Sequence, residues 1–300
     1  MPHHHRLSRR GLLAATVATG QASAAEIPPP DPQWARPPHQ VEAEALVDYL
    51  RTLPWSEQAK VNRYKAAGVP ESSFANWGTA GHPEQFSVLA QCSSFLTMVL
   101  ERTYGANSAY GWATREYFSQ YFGTEPGKLY PTAEKFRTGF AAAADIPHFD
   151  AVTKPVNLRP GDLVAFDYDP VNTTEPYTGH IVMVKERKGT WASSSVDSQV
   201  GPDVIPYVFE IVDCTSDPHG SPAASDTAEA IYRAFPDTRI EEHVGATPEW
   251  TEHNGVGYGH IVFYADATTK LFAGYRWSVN SSKANKVADC PIAAARVYAG

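Results

Sequence analysis

The sequence predicts an α+β fold, in which a helix that begins at a cysteine packs on an antiparallel β-sheet built from residues 160–300. Three observations predict this fold. Apolar residues recur at helical spacing between Cys92 and Tyr104. Downstream, short apolar runs separated by turn-forming residues indicate strands. The chain is 43% hydrophobic and 12% aromatic, which is ample for a packed core.

The N-terminus has the pattern of an export signal. A basic region, an apolar run and a small-residue cleavage site follow one another: Arg6, Arg9 and Arg10, then residues 11–18, then Ala22-Ser23-Ala24. The pair Arg9-Arg10 resembles the twin-arginine signal of proteins exported in the folded state, and an ordinary secretory signal is the alternative. We therefore expect residues 1–24 to be a signal peptide, cleaved near Ala24, and the mature protein to be periplasmic or extracellular.

Composition narrows the classes of partner. The chain has 25 basic and 33 acidic residues, a net charge of −8, and the loss of three leader arginines would make the mature chain still more acidic. Such a balance disfavours a nucleic-acid partner. No later segment is long and apolar enough for a membrane helix, so we expect no integral membrane segment in the mature chain. Oligomeric state is left open.

The order of segments predicts one elaborated domain. Residues 25–40 are rich in proline, which stiffens the backbone and removes hydrogen-bond donors, so they form a linker or a surface strap. Residues 41–300 then form a single domain with N-terminal helices. Apolar spacing over 41–50 predicts the first helix, and residues 55–67 are expected to form a second.

Cys92 is the candidate nucleophile. It lies where the helix predicted to end near Tyr104 begins, and Gly105 follows where a helix C-terminus favours a left-handed residue. Unpaired N–H groups and the positive end of the helix dipole favour a thiolate at this position, and the thiolate is the nucleophilic form. The alternative is a small buried core cysteine.

Two further side chains complete a candidate triad. Pro160-Gly161-Asp162 forms a turn before a predicted strand, 163–166, and His180 precedes the return strand, 181–184. A third strand, 207–212, leads into Asp213 and Cys214. Because side chains alternate on a strand, Asp213 can face His180 while Cys214 faces the other layer.

These segments together resemble the NlpC-type cell-wall peptidases, a papain-like family. The likeness rests on a helix that opens on Cys-Ser, a strand reading PGDLV-F, a strand opening on Gly-His, and a third strand with a polar residue. It implies that Cys92 is the nucleophile, His180 the general base and Asp213 the residue that orients the imidazole. The implied reaction is hydrolysis of an amide bond in a peptide or peptidoglycan-like substrate through an acyl-enzyme, without metal or cofactor.

The chain also departs from the family pattern. The family usually has an acidic residue before the nucleophile and a glycine after the following serine, where this chain has Gln91 and Ser94. The spacing of the three candidate residues implies insertions at about 105–150 and 187–206. We expect these insertions to border the cleft, so the substrate can differ from the usual one.

The sequence leaves alternatives open for the oxyanion donor, the general base and the activity. For the oxyanion hole and substrate contacts, the candidates are the backbone N–H of Cys92, then Gln91, Trp77 and His219. His260 repeats the Gly-His strand pattern and rivals His180 as the base, although the glycine-rich residues before it are more typical of a tight turn at a sheet edge. The same fold is compatible with a non-catalytic wall-binding module or a thiol-dependent acyltransferase.

The three cysteines allow one disulfide with one thiol left over. Pairing Cys214 with Cys290 leaves Cys92 free, and three unpaired buried cysteines are the alternative.

Overall fold

A computed structural model describes residues 35–168, 179–222, 226–243, 245 and 249–299. The predicted signal peptide, residues 1–24, and most of the proline-rich segment lie outside these residues. The described chain is a mixed α+β fold, as predicted. Among the described residues, no helix combines the length and apolar character needed to cross a membrane.

Helices and strands follow one another in a mixed order along the described chain. The α-helices are α1 (Pro38–Arg51), α2 (Trp55–Val61), α3 (Cys92–Tyr104), α4 (Arg115–Tyr121), α5 (Ala133–Ala141), α6 (Ser194–Val200) and α7 (Asp226–Ala234). The strands are β1 (Asn62–Tyr64), β2 (Phe74–Asn76), β3 (Ser87–Ala90), β4 (Phe149–Ala151), β5 (Leu163–Asp167), β6 (Gly179–Thr190), β7 (Val204–Thr215), β8 (Ile240–His243), β9 (Glu249–Glu252), β10 (Gly255–Asp266), β11 (Phe272–Arg276), β12 (Asn285–Lys286) and β13 (Ile292–Val297).

One large sheet organises the fold. Its strand order is β12-β11-β10-β7-β6-β5-β13-β4, and every neighbouring pair is antiparallel. This confirms the antiparallel sheet predicted for residues 160–300, to which β4 adds one strand from an earlier segment. A three-stranded sheet, β1-β3-β2, leads into the predicted nucleophile helix, and β8 pairs with β9 in a separate hairpin.

The large sheet separates two layers of core because side chains alternate along its strands. Helices α1, α3 and α5 contribute to the core on one face, together with Leu163, Ile181 and Val212. The neighbouring strand positions, including Val164, Val182 and Ile211, point into a second core on the opposite face. Cys92 and Cys214 belong to the helix-covered core.

The N-terminal helix begins earlier than its apolar spacing predicted. Helix α1 starts at Pro38 rather than at Val41, and it includes the buried His39. The ring of His39 bridges two parts of the fold, since Nδ1 lies 2.8 Å from the Tyr104 hydroxyl and Nε2 lies 2.8 Å from the Gly161 carbonyl oxygen. The segment before residue 41 is therefore attached to the core by a buried polar contact.

The predicted nucleophile helix, residues 92–104, is confirmed, but two details nearby differ. The expected helix 55–67 stops at Val61, and β1 follows it as a strand parallel to β3. Gly105 has φ −71° and ψ −178°, so it ends α3 in extended rather than left-handed backbone. The helix thus ends because the chain straightens, and not through a glycine-specific conformation.

The strands that carry the candidate residues are longer than predicted. Strand β6 continues to Thr190 and β7 begins at Val204, so both extend into the expected insertion at 187–206. The other expected insertion, 105–150, contains α4, α5 and the start of β4. The glycine-rich residues 255–259, expected to form a turn, instead begin β10 and pair along β7.

Candidate functional site

Cys92 is the first residue of α3 and is nearly buried, with 6% of its surface exposed. The preceding residue, Gln91, is the N-cap in extended backbone, and its N–H donates to the Ser94 hydroxyl at 2.9 Å. Ser94 thus serves the helix start at the position where the resembled family has glycine. The N–H of Cys92 has no acceptor within its own helix, because the first N–H groups of a helix lack one.

His180 is the second residue of β6, so its imidazole lies at the end of the large sheet. Its Nε2 lies 2.7 Å from Oδ2 of Asp213. The Cys92 thiol lies close enough to this ring to influence its pKa. Because Asp213 occupies Nε2, Nδ1 is the ring nitrogen without a protein partner among these residues. The structure therefore places the three predicted triad residues in one neighbourhood.

Burial and charge act in opposite directions on His180. Its side chain is 7% exposed, and this burial by itself lowers the pKa of the imidazole. The electrostatic interaction with Cys92 opposes the effect of burial, and the hydrogen bond and charge of Asp213 add to this opposition, so the pKa of His180 is raised to about 9. The surroundings thus favour the protonated form of His180.

Asp213 is held by more than the predicted histidine. Its second oxygen, Oδ1, accepts from a guanidinium nitrogen of Arg239 at 2.8 Å, and Asp213 has no exposed surface. Arg239 in turn donates to both carboxylate oxygens of Asp237. Burial alone would raise the pKa of Asp213, but the charges of Arg239 and His219 and the hydrogen bonds of the two histidines hold it well below its ordinary value.

His219 does not line a cleft, contrary to the prediction. It is 1% exposed and lies behind Asp213, with Nε2 3.0 Å from the same Oδ2 that His180 contacts. Its Nδ1 lies 2.7 Å from the carbonyl oxygen of Trp277, and its ring stacks on the indole of that residue at 4.0 Å between centroids. The same indole meets His180 edge-on at 5.0 Å, so Trp277 contacts both histidines that bind Asp213.

Three donor atoms of this cluster are spaced as in some metal sites. The candidate ligand atoms of His180, Asp213 and His219 all lie within 4.8 Å of one another. Oδ2 of Asp213 already lies at hydrogen-bond distance from Nε2 of both histidines, 2.7 Å and 3.0 Å, so this donor set fits a hydrogen-bonded network better than a metal ion.

Alternating glycines make room for the buried network. Gly257 pairs with Asp213 across β10 and β7, and a Cβ atom on Gly257 would lie 3.0 Å from Cγ of Arg239. A Cβ atom on Gly259 would lie 2.6 Å from Oδ2 of Asp237 and 2.7 Å from Cδ2 of His219. Both positions face the same side of the strand. The bare strand therefore provides the space in which the charged side chains pack.

Tyr168 is a neighbour of the site that the sequence did not indicate. The residue is 36% exposed, and its hydroxyl lies near Tyr275. Burial, and then the charges and contacts of groups that include Tyr275 and Cys92, raise the pKa of Tyr168 well above its ordinary value. Tyr168 thus combines a partly accessible ring with a hydroxyl that stays protonated near the thiol.

Two other predicted residues do not join the triad. The indole of Trp77 donates to the Glu42 carbonyl oxygen at 2.9 Å and lies under Arg102, near the other end of α3. At about 1.5 Å of rise per residue, Arg102 is about 15 Å along the helix from Cys92, so Trp77 is not a substrate contact next to the thiol. The side chain of Gln91, predicted as a second oxyanion donor, accepts from the backbone N–H of Ser94 in the capping box of α3.

His260 lies on the opposite face of the sheet from His180 and Asp213. It pairs with Glu210 on β7, three positions from Asp213, and its Nδ1 lies 2.9 Å from the Pro236 carbonyl oxygen. Burial lowers its pKa. Cys92 influences the imidazole of His180, and His260 is a buried strand histidine.

The predicted Cys214–Cys290 disulfide is not formed, and all three cysteines are free. The Cys214 thiol donates to the Ala90 carbonyl oxygen in the helix-covered core, where burial raises its pKa well above the ordinary value. Cys290 packs against the core on the opposite face. The sheet between them prevents the close approach that a disulfide requires.

Arg239, Asp237 and Trp277 were not predicted as site residues. The signal for them in the sequence was the alternation of glycine at 255, 257 and 259, since glycines two apart on a strand leave one face bare for large side chains. This pattern predicts where large side chains can pack, but it does not identify the residues that pack there. Comparisons of the chain with protein-family models, with curated proteins and with solved structures each returned no match.

Proposed function

We propose that this protein is a cysteine hydrolase that cleaves amide bonds through an acyl-enzyme. One observation carries the proposal: the thiol at the start of α3 lies near the imidazole of His180, whose Nε2 is 2.7 Å from the buried carboxylate of Asp213. This order of nucleophile, base and orienting acid is the arrangement that nucleophilic catalysis requires.

In the proposed acylation step, the Cys92 thiolate and the His180 imidazolium act as an ion pair. The Cys92 thiolate attacks the carbonyl carbon, forming a C–S bond, and the negative charge that develops on the carbonyl oxygen is stabilised by the N–H of Cys92. The imidazolium of His180 then gives its proton to the leaving nitrogen as the C–N bond breaks. A thioester and a free amine result.

Deacylation reverses the role of His180. The now neutral imidazole takes a proton from water as the water oxygen attacks the thioester carbonyl. The C–S bond breaks, the sulfur leaves as thiolate, and His180 becomes imidazolium again. Asp213 keeps the ring oriented in both steps because its Oδ2 holds Nε2. An amine in place of water would make the same thiol an acyltransferase.

For the substrate, we propose peptides of the bacterial cell wall. Support comes from the pattern of an export signal in residues 1–24 and from the resemblance of the thiol, PGDLV-F and Gly-His segments to cell-wall peptidases. The partly exposed ring of Tyr168 is positioned to contact the substrate near the thiol.

The first test measures the reactivity of the Cys92 thiol and requires no assumption about the substrate. We expect iodoacetamide to label Cys92 near pH 7 at least about 10-fold faster than Cys290, a half-buried thiol that serves as an internal control. Peptide mass spectrometry gives both rates in one sample. His180→Ala should remove the difference, whereas His260→Ala should keep it. Equal labelling of the two thiols in the unaltered protein would contradict the proposal and favour a non-catalytic binding module.

The second test looks for products. Purified wall fragments are incubated with the protein, with Cys92→Ala and with His260→Ala, and new carboxylic acid or amine ends are identified by mass spectrometry. We expect cleavage by the unaltered protein and by His260→Ala, and a loss of about 100-fold or more in Cys92→Ala. Products that carry an added amine instead of water would assign a transferase.

A further inference from the structure

We propose that His219 is held as a doubly protonated, positively charged positioning residue, whose charge sets how strongly His180 binds its proton. The charge assignment rests on geometry alone. The effect on catalysis rests on the proposed function, since it requires that His180 serves Cys92.

The two hydrogen-bond partners of the His219 ring determine its charge. Nδ1 of His219 lies 2.7 Å from the carbonyl oxygen of Trp277, and Nε2 lies 3.0 Å from Oδ2 of Asp213. Both partners are acceptors. A neutral imidazole has one donor nitrogen and one acceptor nitrogen, so it would leave two acceptors facing each other at one of these contacts. Only the imidazolium donates at both.

The surroundings of His219 are compatible with a buried cation. Asp213 contacts its ring, and its backbone N–H donates to Oδ2 of Asp237 at 2.8 Å. The stacked indole of Trp277 presents the negative face of an aromatic ring, which attracts a cation. The other charged groups around it are Arg239, which is bound by both carboxylates, and His180, whose ring centroid lies 6.4 Å away.

The charges of the cluster then balance. Two carboxylates, Asp213 and Asp237, face two cations, His219 and Arg239, within the buried network. The ion pair of Cys92 and His180 is neutral as a whole. A buried group of charges is tolerated when each is paired and hydrogen-bonded, and a neutral His219 would leave an excess of negative charge around Asp213.

The charge of His219 affects how strongly His180 binds its proton. Asp213 shares one oxygen, Oδ2, between the two histidines. A positive His219 withdraws part of the attraction that Asp213 exerts on the proton of His180. Removing that charge while keeping a donor to Asp213 should therefore make His180 more basic.

The first experiment determines the protonation of His219 in the unaltered protein. Two-bond ¹H–¹⁵N correlation spectra of histidine-labelled protein distinguish imidazolium from both neutral tautomers. We expect both ring nitrogens of His219 to be protonated at pH 7. One protonated and one bare nitrogen at that pH would overturn the proposal, and this measurement requires no variant to fold.

The second experiment separates charge from hydrogen bonding. In His219→Gln the amide can still donate to Asp213 but carries no charge. We expect the pKa of His180, followed in the same spectra, to rise by about one unit in this variant. A second buried histidine, changed in His260→Gln, provides the matched control and should leave the titration of His180 unchanged. No shift in a folded His219→Gln would reduce His219 to a structural role and overturn the proposal.

The two proposals fail in different ways. If Cys92 proves no more reactive than Cys290 while His219 is doubly protonated and His219→Gln shifts His180, the hydrolase proposal fails and the charge assignment stands. If Cys92 is reactive but His219 is neutral, the hydrolase proposal stands and this inference fails.

Discussion

Gly259 and His219 are packed so closely that a Cβ atom on Gly259 would lie 2.7 Å from Cδ2 of the imidazole and 2.9 Å from its Cβ. Gly259 lies on β10, whereas His219 follows β7 in the chain. The absence of a side chain on one strand thus makes room for a buried ring that supports the triad from behind.

Gly259→Ala should disturb this packing. The added methyl group must displace His219 or Asp237, so we expect the free energy of unfolding to fall by about 1–3 kcal/mol and the labelling rate of Cys92 to decrease. Chemical denaturation and iodoacetamide labelling measure the two effects. Gly201→Ala is the control, because a Cβ atom there would meet only Val204 at 3.6 Å. Equal stability of the two variants would show that the network tolerates the methyl group.

The pKa of His180 gives a second prediction. Folded protein should show His180 titrating near pH 9, above its ordinary value of 6.5. In Cys92→Ala the pKa should be lower, because the sulfur charge is the largest of the influences that raise it. Histidine NMR titrations of the two proteins test this directly. A pKa near 6.5 in the unaltered protein would mean that no ion pair forms with Cys92.

The same pKa sets the alkaline limit of the proposed activity. Acylation needs the imidazolium to protonate the leaving nitrogen, and this form is lost as pH rises through about 9. We therefore expect amide cleavage to decline above that pH, whereas labelling of Cys92 by iodoacetamide, which needs only the thiolate, should not decline with it. A joint decline of both rates would indicate alkaline unfolding instead.

Removing Arg239 should be far more damaging than removing an exposed arginine. Arg239→Met leaves Asp213 and Asp237 buried without their shared cation, and we expect a loss of about 3–5 kcal/mol in the free energy of unfolding. Arg233→Met removes ion pairs to Glu229 and Glu242 on the surface and should change the free energy of unfolding far less, because exposed ion pairs are weakened by water and salt. Urea denaturation at pH 7 compares the free energies of unfolding of the two variants. Similar losses would argue against a buried charge network.

The buried His39 should make the folded protein less stable in acid. Burial lowers its pKa to about 4, against the weaker opposing effect of the hydrogen bond to Gly161. Because the folded state binds the proton more weakly than the unfolded state, this residue's contribution to stability is complete above pH 6.5 and is lost as pH falls toward 4. The loss should reach about 3 kcal/mol. Denaturation of the unaltered protein and of His39→Gln at several pH values should show a shallower slope in the variant; identical slopes would contradict the assignment.

Local patterns in the sequence were sufficient for the elements that carry the candidate triad. The helical spacing after Cys92 placed α3 with its observed bounds, and alternation along β7 correctly separated Asp213 from Cys214. These inferences succeeded because helix starts and strand faces are set by neighbours only a few residues apart. The glycine-rich start of β10 was mistaken for a turn, since glycine favours turns unless another strand pairs with it.

By itself, the sequence determined the α+β class, the helix that begins at Cys92 and the residues proposed to form a triad. Only the tertiary structure decided that His180 rather than His260 meets Cys92, that Cys214 and Cys290 lie on opposite faces, and that His219 lies behind Asp213. It also brought Arg239 and Asp237 to the site. The physical reason is that burial and charge pairing depend on which strands become neighbours, and hydrogen bonds between residues far apart in the chain are not encoded in any local period.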